Sequence, residues 1–198
     1  RYIFEEDIKA SIKQEINNYL TAEIKVKNIE FSVLRKFPYA TLIFQDVLVT
    51  TPPAFSAKKD TVYHFEQVFL KLNMIQVLQK NYQVDEIEFS NGVVNIKRNK
   101  KGIYNYKIWK DQKQDSSKIE LDLNKLLIQK TKIRYDDEIK NIHFNSMFHK
   151  SAISGHFSKS DYYLTIISSN KINKLNVNDI KYISKKQSKH HLDIYVKE

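Results

Sequence analysis

An alternation of apolar and polar side chains with a period of two runs through most of this 198-residue sequence. This pattern is typical of β-strands, whose successive side chains point to opposite faces of a sheet. We count roughly ten to twelve such segments and only one substantial segment of helical periodicity. A single helix would therefore have to cover the apolar face of a large sheet, which limits the folds that the chain can adopt.

Residues 24–109 are predicted to form a first meander. Ile24 to Val33 alternates with a phase shift near Asn28 that suits a β-bulge, and Val62 to Leu72 forms a further strand. Tyr82 to Phe89, Val93 to Arg98 and Ile103 to Trp109 follow as separate strands. Their tight connections are predicted at Ser90-Asn91-Gly92 and at Asn99 to Gly102.

Between Tyr39 and Val49, simple alternation predicts a strand with two largely apolar faces. One face would carry Leu42, Phe44 and Leu48, and the other would carry Ile43, Val47 and Val49.

Residues 118–198 are predicted to form a second meander after the polar segment 111–117, which we interpret as a long hairpin loop rather than a domain boundary. Its strands are expected around Ile119 to Leu123, Ile133 to Tyr135 and Ile142 to Phe148. Further strands are expected at Tyr162 to Ile167, Lys171 to Val177 and Leu192 to Val196. The chain is thus predicted to be one mostly-β (α+β) domain with a long, bent, antiparallel meander sheet.

Two helices complete this prediction. Residues 5–20 repeat apolar side chains at intervals of four behind an acidic first turn, which indicates an amphipathic helix packed on the sheet, or alternatively lying on a membrane surface. Asn73 is placed to cap a short helix whose Met74, Ile75, Val77 and Leu78 face inward.

The excess of strands over helices means that the sheet must close on itself, fold over, or hold a ligand. An open apolar groove would suit lipid acyl chains, whereas a closed sandwich or barrel would need no ligand. For the open form, alternation selects six candidates for the groove lining: Leu42, Phe44, Ile87, Phe89, Val94 and Ile96.

The net charge of +10 raises the question of an anionic partner. Lysines are spread over almost the whole chain, which is typical of a solvated sheet face, and only 97–101 and 185–191 form basic patches. Residues 97–110 interleave lysines with Tyr104, Tyr106 and Trp109, as single-strand nucleic-acid binders do, although structural aromatics of a hairpin have the same pattern. We rank nucleic acid below lipid as a partner.

The sequence contains no motif that predicts catalysis, a metal site or a cofactor. It has no cysteine, and its six histidines lack the spacing of metal ligands. Asp136, Asp137 and Glu138 resemble a carboxylate cluster, but adjacent acids at the end of a strand are more typical of a solvated turn. No run approaches the ~20 apolar residues that span a bilayer.

Four segments in a fixed order resemble the AsmA-like family: residues 74–80 as a short helix, 84–89 and 91–96 as strands around a turn, and Gly102 to Tyr106 as a Gly-x-x-Asn step. Upstream, the helix that ends at Leu20 and the strands 26–31 and 41–47 match the same order. Downstream, Ile133-Arg134-Tyr135-Asp136-Asp137 is similar to a strand-ending Tyr-x-Asp of the family. The resemblance is clear over residues 12–107 and thinner beyond them.

The resemblance implies the N-terminal periplasmic part of a bridge-like lipid-transfer or outer-membrane assembly protein. Such a protein would bind or conduct phospholipid or other acyl lipid along a bent sheet, without enzymatic activity. It also implies an inner-membrane anchor upstream of Arg1, so that this chain would be a fragment of a longer protein. The alternatives are a basic nucleic-acid-binding β-barrel and a purely structural interaction domain.

Overall fold

The computed structural model describes residues 21–33, 39–73, 75, 84–108, 125–157 and 161–197. These residues form eight β-strands in one sheet, arranged in sequence order. The strands are β1 (Ile24–Val33), β2 (Tyr39–Thr50), β3 (Thr61–Asn73), β4 (Val84–Arg98), β5 (Lys125–Asp137), β6 (Ile142–Phe157), β7 (Asp161–Val177) and β8 (Ile180–Lys197). The mostly-β prediction is confirmed.

The predicted helix 5–20 and the predicted strand at 119–123 lie outside the described residues. The short helix after Asn73 also lies outside them, except for Ile75. The Asn73 side-chain oxygen accepts a hydrogen bond of 3.0 Å from the Ile75 backbone N–H, which is the contact expected of a helix cap.

The strands are long, from 10 residues in β1 to 18 in β8, and they lengthen in order except at β5, which is shorter than β4. Strands of globular proteins average about five to six residues. At ~3.3 Å per residue, β8 is about 60 Å long. Strands of this length give the sheet two broad faces, and the side chains on each face decide what the sheet can contact.

Neighbouring strands are antiparallel except β4 and β5, which are parallel. The prediction of an uninterrupted antiparallel meander is therefore wrong at this pair. Glu86 lies opposite Lys125 and Arg98 opposite Asp137, so β5 begins beside the start of β4. Parallel neighbours cannot be joined by a tight hairpin, and the connection between them is a crossover.

Several predicted breaks are absent because strands continue through them. Ser90-Asn91-Gly92 is not a turn but the middle of β4, and the predicted strands at 162–167 and 171–177 form one strand, β7. In the predicted strand 103–109, the described part forms a single bridge, between Arg98 and Tyr104. The tight connection at Asn99 to Gly102 is present, with Gly102 at a φ of 80° and its N–H bonded to the Asn99 carbonyl.

A row of irregular positions crosses the middle of the sheet. Asp46, Asn91 and Lys130 have φ values of 54°, 52° and 45°, in the left-handed region that most side chains avoid. These positions lie in one row across the sheet, because the residues next to them are paired from strand to strand. Gln45 of β2 pairs with Gln67 of β3, which pairs with Ser90 of β4, which pairs with Gln129 of β5. Strands β1 to β6 therefore change the phase of their alternation at the same row, whereas β7 and β8 keep a regular alternation there.

The phase change corrects the predicted faces of β2. Val47 packs with Phe44 and Leu42 on one core, and Val49 lies opposite Tyr63 on the same side. Simple alternation had placed Val47 and Val49 on the other face, with Leu48 beside Leu42. In β1, Val26 and Ile29 likewise pack on one side, which agrees with the phase shift predicted near Asn28.

The hydrophobic core is centred on β2 and β3. Its buried members are Leu42, Phe44, Phe65, Val68 and Leu72, and partly buried side chains of β1 and β4 pack against them. Burial of each such side chain contributes about 1.5–3 kcal/mol. The rings of Phe65 and Phe89 lie 4.7 Å apart between their centroids, so β3 and β4 share this core.

Gly92 tests the close packing at the irregular row. A Cβ atom at this position would lie 2.1 Å from Phe65 Cδ1 and 2.8 Å from the His64 carbonyl oxygen. Gly92→Ala should therefore lower the free energy of unfolding by about 1–3 kcal/mol, because the ring and the backbone must move. Urea denaturation measures this loss. Ser90→Ala, in the same strand, serves as the control, and equal stability of both variants would contradict the packing described.

Candidate functional site

The six predicted lining residues all lie on one face of the sheet. Leu42 is opposite Leu70, which is opposite Ile87; one step along, Phe44, Val68 and Phe89 are aligned in the same way. Val94 packs against the same core as Phe89, and Ile96 follows it by alternation. The structure thus brings the six residues together on what we call the apolar face.

The apolar face extends well beyond those six residues. The register continues it from β4 through β5 and β6 to β8, along rows such as Ile87, Leu126, Ile153, Ile166 and Leu192. A second row contains Ile96, Tyr135, Phe144, Leu175 and Ile183. The face is therefore continuous across the parallel pair in the middle of the sheet.

Exposure of the apolar face rises from the first strands to the last. Leu42 in β2 has no exposed surface, and Phe44, Phe65 and Leu72 are buried. On β8, by contrast, Leu192 is 53% exposed and Ile180 is 60% exposed. Large apolar side chains in contact with water on one continuous face indicate a surface that a partner can cover.

The opposite face of β5 to β8 is mostly polar, although one row on it contains Leu127, Ala152 and Ile167. Its register brings Lys125, Arg134, Lys150 and Lys171 to one side of β5 to β7, together with Glu86, Glu88 and Asp136. Lys125 and Glu86 form an ion pair of 3.4 Å, and His143 Nδ1 lies 2.7 Å from Asp136. Such exposed pairs contribute little to stability, so this face is a solvated surface. The sheet is amphipathic as a whole.

Residues 103–108 cover one end of the apolar face. Ile108 packs against Val49, Tyr63 and Ala22, and its carbonyl oxygen accepts a hydrogen bond of 2.7 Å from the Thr21 N–H. Buried Asn105 accepts a bond of 2.7 Å from the Lys97 N–H and donates one of 2.7 Å to the Asn95 carbonyl. The chain that leaves β4 is thus held against the sheet by specific backbone contacts.

Asp137 is the carboxylate that the sequence placed in a solvated turn, and it is instead 1% exposed. Its oxygens accept hydrogen bonds from the Ile139 and Lys140 N–H groups at 2.9 and 3.0 Å and from the Tyr135 hydroxyl at 3.1 Å. Arg98 lies 3.5 Å away and stacks on the ring of Tyr104. The turn prediction is right, but the carboxylate is a buried anchor of the β5–β6 hairpin.

The same contacts shift two pKa values. The backbone hydrogen bond from Lys140 is the main cause that lowers the pKa of Asp137, with Tyr135, Ile139 and Arg98 acting in the same direction against burial. Burial, followed by the hydrogen bond to Asp137, raises the pKa of Tyr135 to about 12. Asp137 is thus stabilised as a carboxylate and Tyr135 as a neutral donor, which is a structural pairing rather than an acid and base ready to exchange a proton.

In the described part of the chain, no group of three or more His, Asp or Glu side chains is arranged to hold a metal ion. Nor does this part contain a helix long and apolar enough to cross a membrane. Tyr104, a candidate for stacking on nucleic-acid bases, packs instead against Arg98 and against Tyr106, whose ring centroid is 5.0 Å away.

Two sets of residues on the apolar face are not identified by the sequence alone. The first is the exposed set on β8, which includes Ile180, Leu192 and Ile194. The second is a polar group at the centre of β6 to β8, with Ser151, Ser168 and Ser188 among its members. Residue-by-residue pairing of β7 with β8 would place both sets on the apolar face, whereas the sequence of 185–191 by itself indicates only a basic patch.

Neither a scan against protein-family models nor a search of characterised proteins finds a match to this chain.

The Asp137 anchor predicts a pH-dependent stability. Because its pKa is lowered in the folded state, its stabilisation is present above the ordinary value of 3.8 and is lost as the pH falls through the folded-state pKa. Asp137→Asn should therefore be less stable than the natural protein at pH 7, and the difference should shrink below pH ~4. Urea denaturation at several pH values measures this. Exposed Glu138→Gln is the control, and a difference independent of pH would contradict the assignment.

Proposed function

We propose that this protein is a non-enzymatic envelope domain whose apolar face holds lipid acyl chains, in the manner of the AsmA-like proteins that it resembles. The observation that carries the proposal is the apolar face that extends from strand to strand, buried at β2 and β3 and open to water at β8. An acyl chain that packs on the exposed part would remove its own apolar surface and that of the protein from water. Each buried CH₂ group would contribute about 0.8 kcal/mol to the free energy of binding.

The shape of the sheet supports the same proposal. Apolar rows cross the sheet from β5 to β8, one of them through Leu126, Ile153, Ile166 and Leu192, so an extended chain that lies across the strands meets a continuous row of apolar side chains. The polar face keeps the other side in water. A sheet with one apolar and one polar face can bind a lipid on the apolar face while the polar face stays in contact with water.

The resemblance extends the proposal to location and partners. Phospholipid or another acyl lipid would be the cargo, and a periplasmic position with an inner-membrane anchor would place the sheet between two membranes. The proposed role is transfer of lipids for outer-membrane biogenesis. A structural interaction domain remains the second candidate, and it is favoured by the long outer edge of β8, which has no neighbouring strand among the described residues.

Leu192 and Ile167 provide a matched pair for the test. They lie on adjacent strands and are 53% and 55% exposed, but Leu192 is on the apolar face and Ile167, opposite His191, is on the polar face. Leu192→Asp should weaken binding of a fluorescent phospholipid at least about tenfold, because a charge would have to be covered by an acyl chain. Ile167→Asp should leave binding unchanged.

Binding is measured by the fluorescence change on titration of detergent-free protein, with circular dichroism to show that each variant is folded. Equal losses in the two variants would contradict binding on the apolar face. Failure of the folded natural protein to bind any phospholipid would contradict the proposal and favour the structural interaction domain. Binding of labelled single-stranded nucleic acid that weakens steeply with salt would favour the nucleic-acid alternative.

A further inference from the structure

Six polar side chains interrupt the apolar face on β6 to β8. Register places Ser151, Ser168 and His190 in one row and Asn170 and Ser188 in the next, and Lys186 follows Ser188 on β8. We call Ser151, Ser168, Asn170, Lys186, Ser188 and His190 the polar band. On β8 its three members span about 13 Å, at two residues per step.

Apolar rows lie on both sides of the polar band. Ile153, Ile166 and Leu192 form the row on one side, and Leu175 and Ile183 belong to the row on the other. The geometry of the sheet does not require polar residues between these two apolar rows. In β2 to β4, the row that continues Ser151 and Ser168 contains Phe44, Val68 and Phe89.

The hydrogen bonds of the polar band are incomplete. Ser151 is 3% exposed, and its hydroxyl oxygen has no hydrogen-bond partner among the residues that the structure describes. A buried hydroxyl without a partner is costly, so it is a position at which a ligand can supply the missing bond. Nearby Thr131 and Ser146 differ, because their hydroxyls donate to the carbonyl oxygens of Gln129 and Lys171 at 2.8 and 3.1 Å.

Three of the remaining members, Asn170, Ser188 and His190, contact one another, and Lys186 adds a positive charge. The Ser188 hydroxyl donates to Asn170 Oδ1 at 3.2 Å and also contacts His190 Nε2. No described carboxylate lies within ion-pair distance of Lys186. In β5 to β8, Asp137 is the acidic residue that register places on the apolar face, and it is already bound by Arg98 and Tyr135.

We propose that the polar band binds the phosphate group of an anionic phospholipid, while its acyl chains lie on the apolar rows to either side. Lys186 supplies positive charge, and the His190 ring and the serine hydroxyls supply hydrogen-bond donors to the phosphate oxygens. This inference rests on the proposed function and names the class of lipid: one with an anionic head, held on the sheet rather than in solvent.

Comparing the affinities for phosphatidic acid and for diacylglycerol measures the contribution of the phosphate group to binding. The two lipids carry the same fluorescent acyl chains and differ only in that group. The natural protein should bind phosphatidic acid about tenfold more tightly than diacylglycerol, because Lys186 near an anionic group strengthens binding by up to about fivefold and the band's hydrogen-bond donors strengthen it further. Lys186→Gln combined with His190→Gln should remove most of this preference and leave the affinity for diacylglycerol unchanged.

Lys189→Gln combined with His191→Gln is the matched control, because these residues lie on the same strand but on the polar face. This control should keep the tenfold preference. Equal affinity of the natural protein for the two lipids would overturn the inference while leaving acyl-chain binding intact. An equal loss of preference in both double variants would also overturn it, since net charge alone would then explain the effect. Absence of binding to either lipid would reject the inference together with the proposed function.

Discussion

The burial of one broad apolar sheet face is the constraint on which the rest of the structure depends. Each strand contributes alternate side chains to this face, and the eight strands join it into a single surface. At β2 and β3 the side chains of this face, such as Leu42 and Phe65, are buried and form the core that stabilises the fold. At β8 the same surface remains open to water. Stability and the proposed binding of lipid thus arise from the same pattern of residues, at different ends of one sheet.

The row of irregular positions keeps this face continuous over long strands. Without the phase change at Asp46, Val47 and Val49 would point to the solvated side and leave the core beside Phe65 incomplete. Neighbouring strands make the change together, at Asn91 in β4 and Lys130 in β5. Local breaks of this kind increase the twist of a strand and bend a sheet, so the same row favours curvature. Asparagine and aspartate tolerate the left-handed conformation, whereas Lys130 adopts it because strand pairs on both sides hold it there.

Strand content could be predicted from the sequence, because it follows from local alternation. The common face of the six lining residues depends also on the phase change at Asn91, which lies between Phe89 and Val94 within β4. The phase of the alternation beyond Asp46 could not be predicted, since nothing in the composition near Asp46 distinguishes a left-handed residue from an extended one. Asn91-Gly92 was interpreted as a turn because the residues that suit a tight turn also suit an irregular strand position. The parallel pairing of β4 with β5 and the polar band both depend on contacts between distant segments. Alternation within one segment carries no information about such contacts, so only the register revealed them.

Contact between acyl chains and the apolar face can be measured most directly by tryptophan quenching. A tryptophan would replace Leu192 on the apolar face or, in a second protein, Ile167 on the polar face, each with Trp109→Phe to remove the natural fluorophore. Phospholipids brominated along their acyl chains quench a tryptophan only at short range. The account predicts strong quenching at position 192 and little at position 167. Equal quenching at the two positions, or none at position 192 with lipid bound, would contradict it.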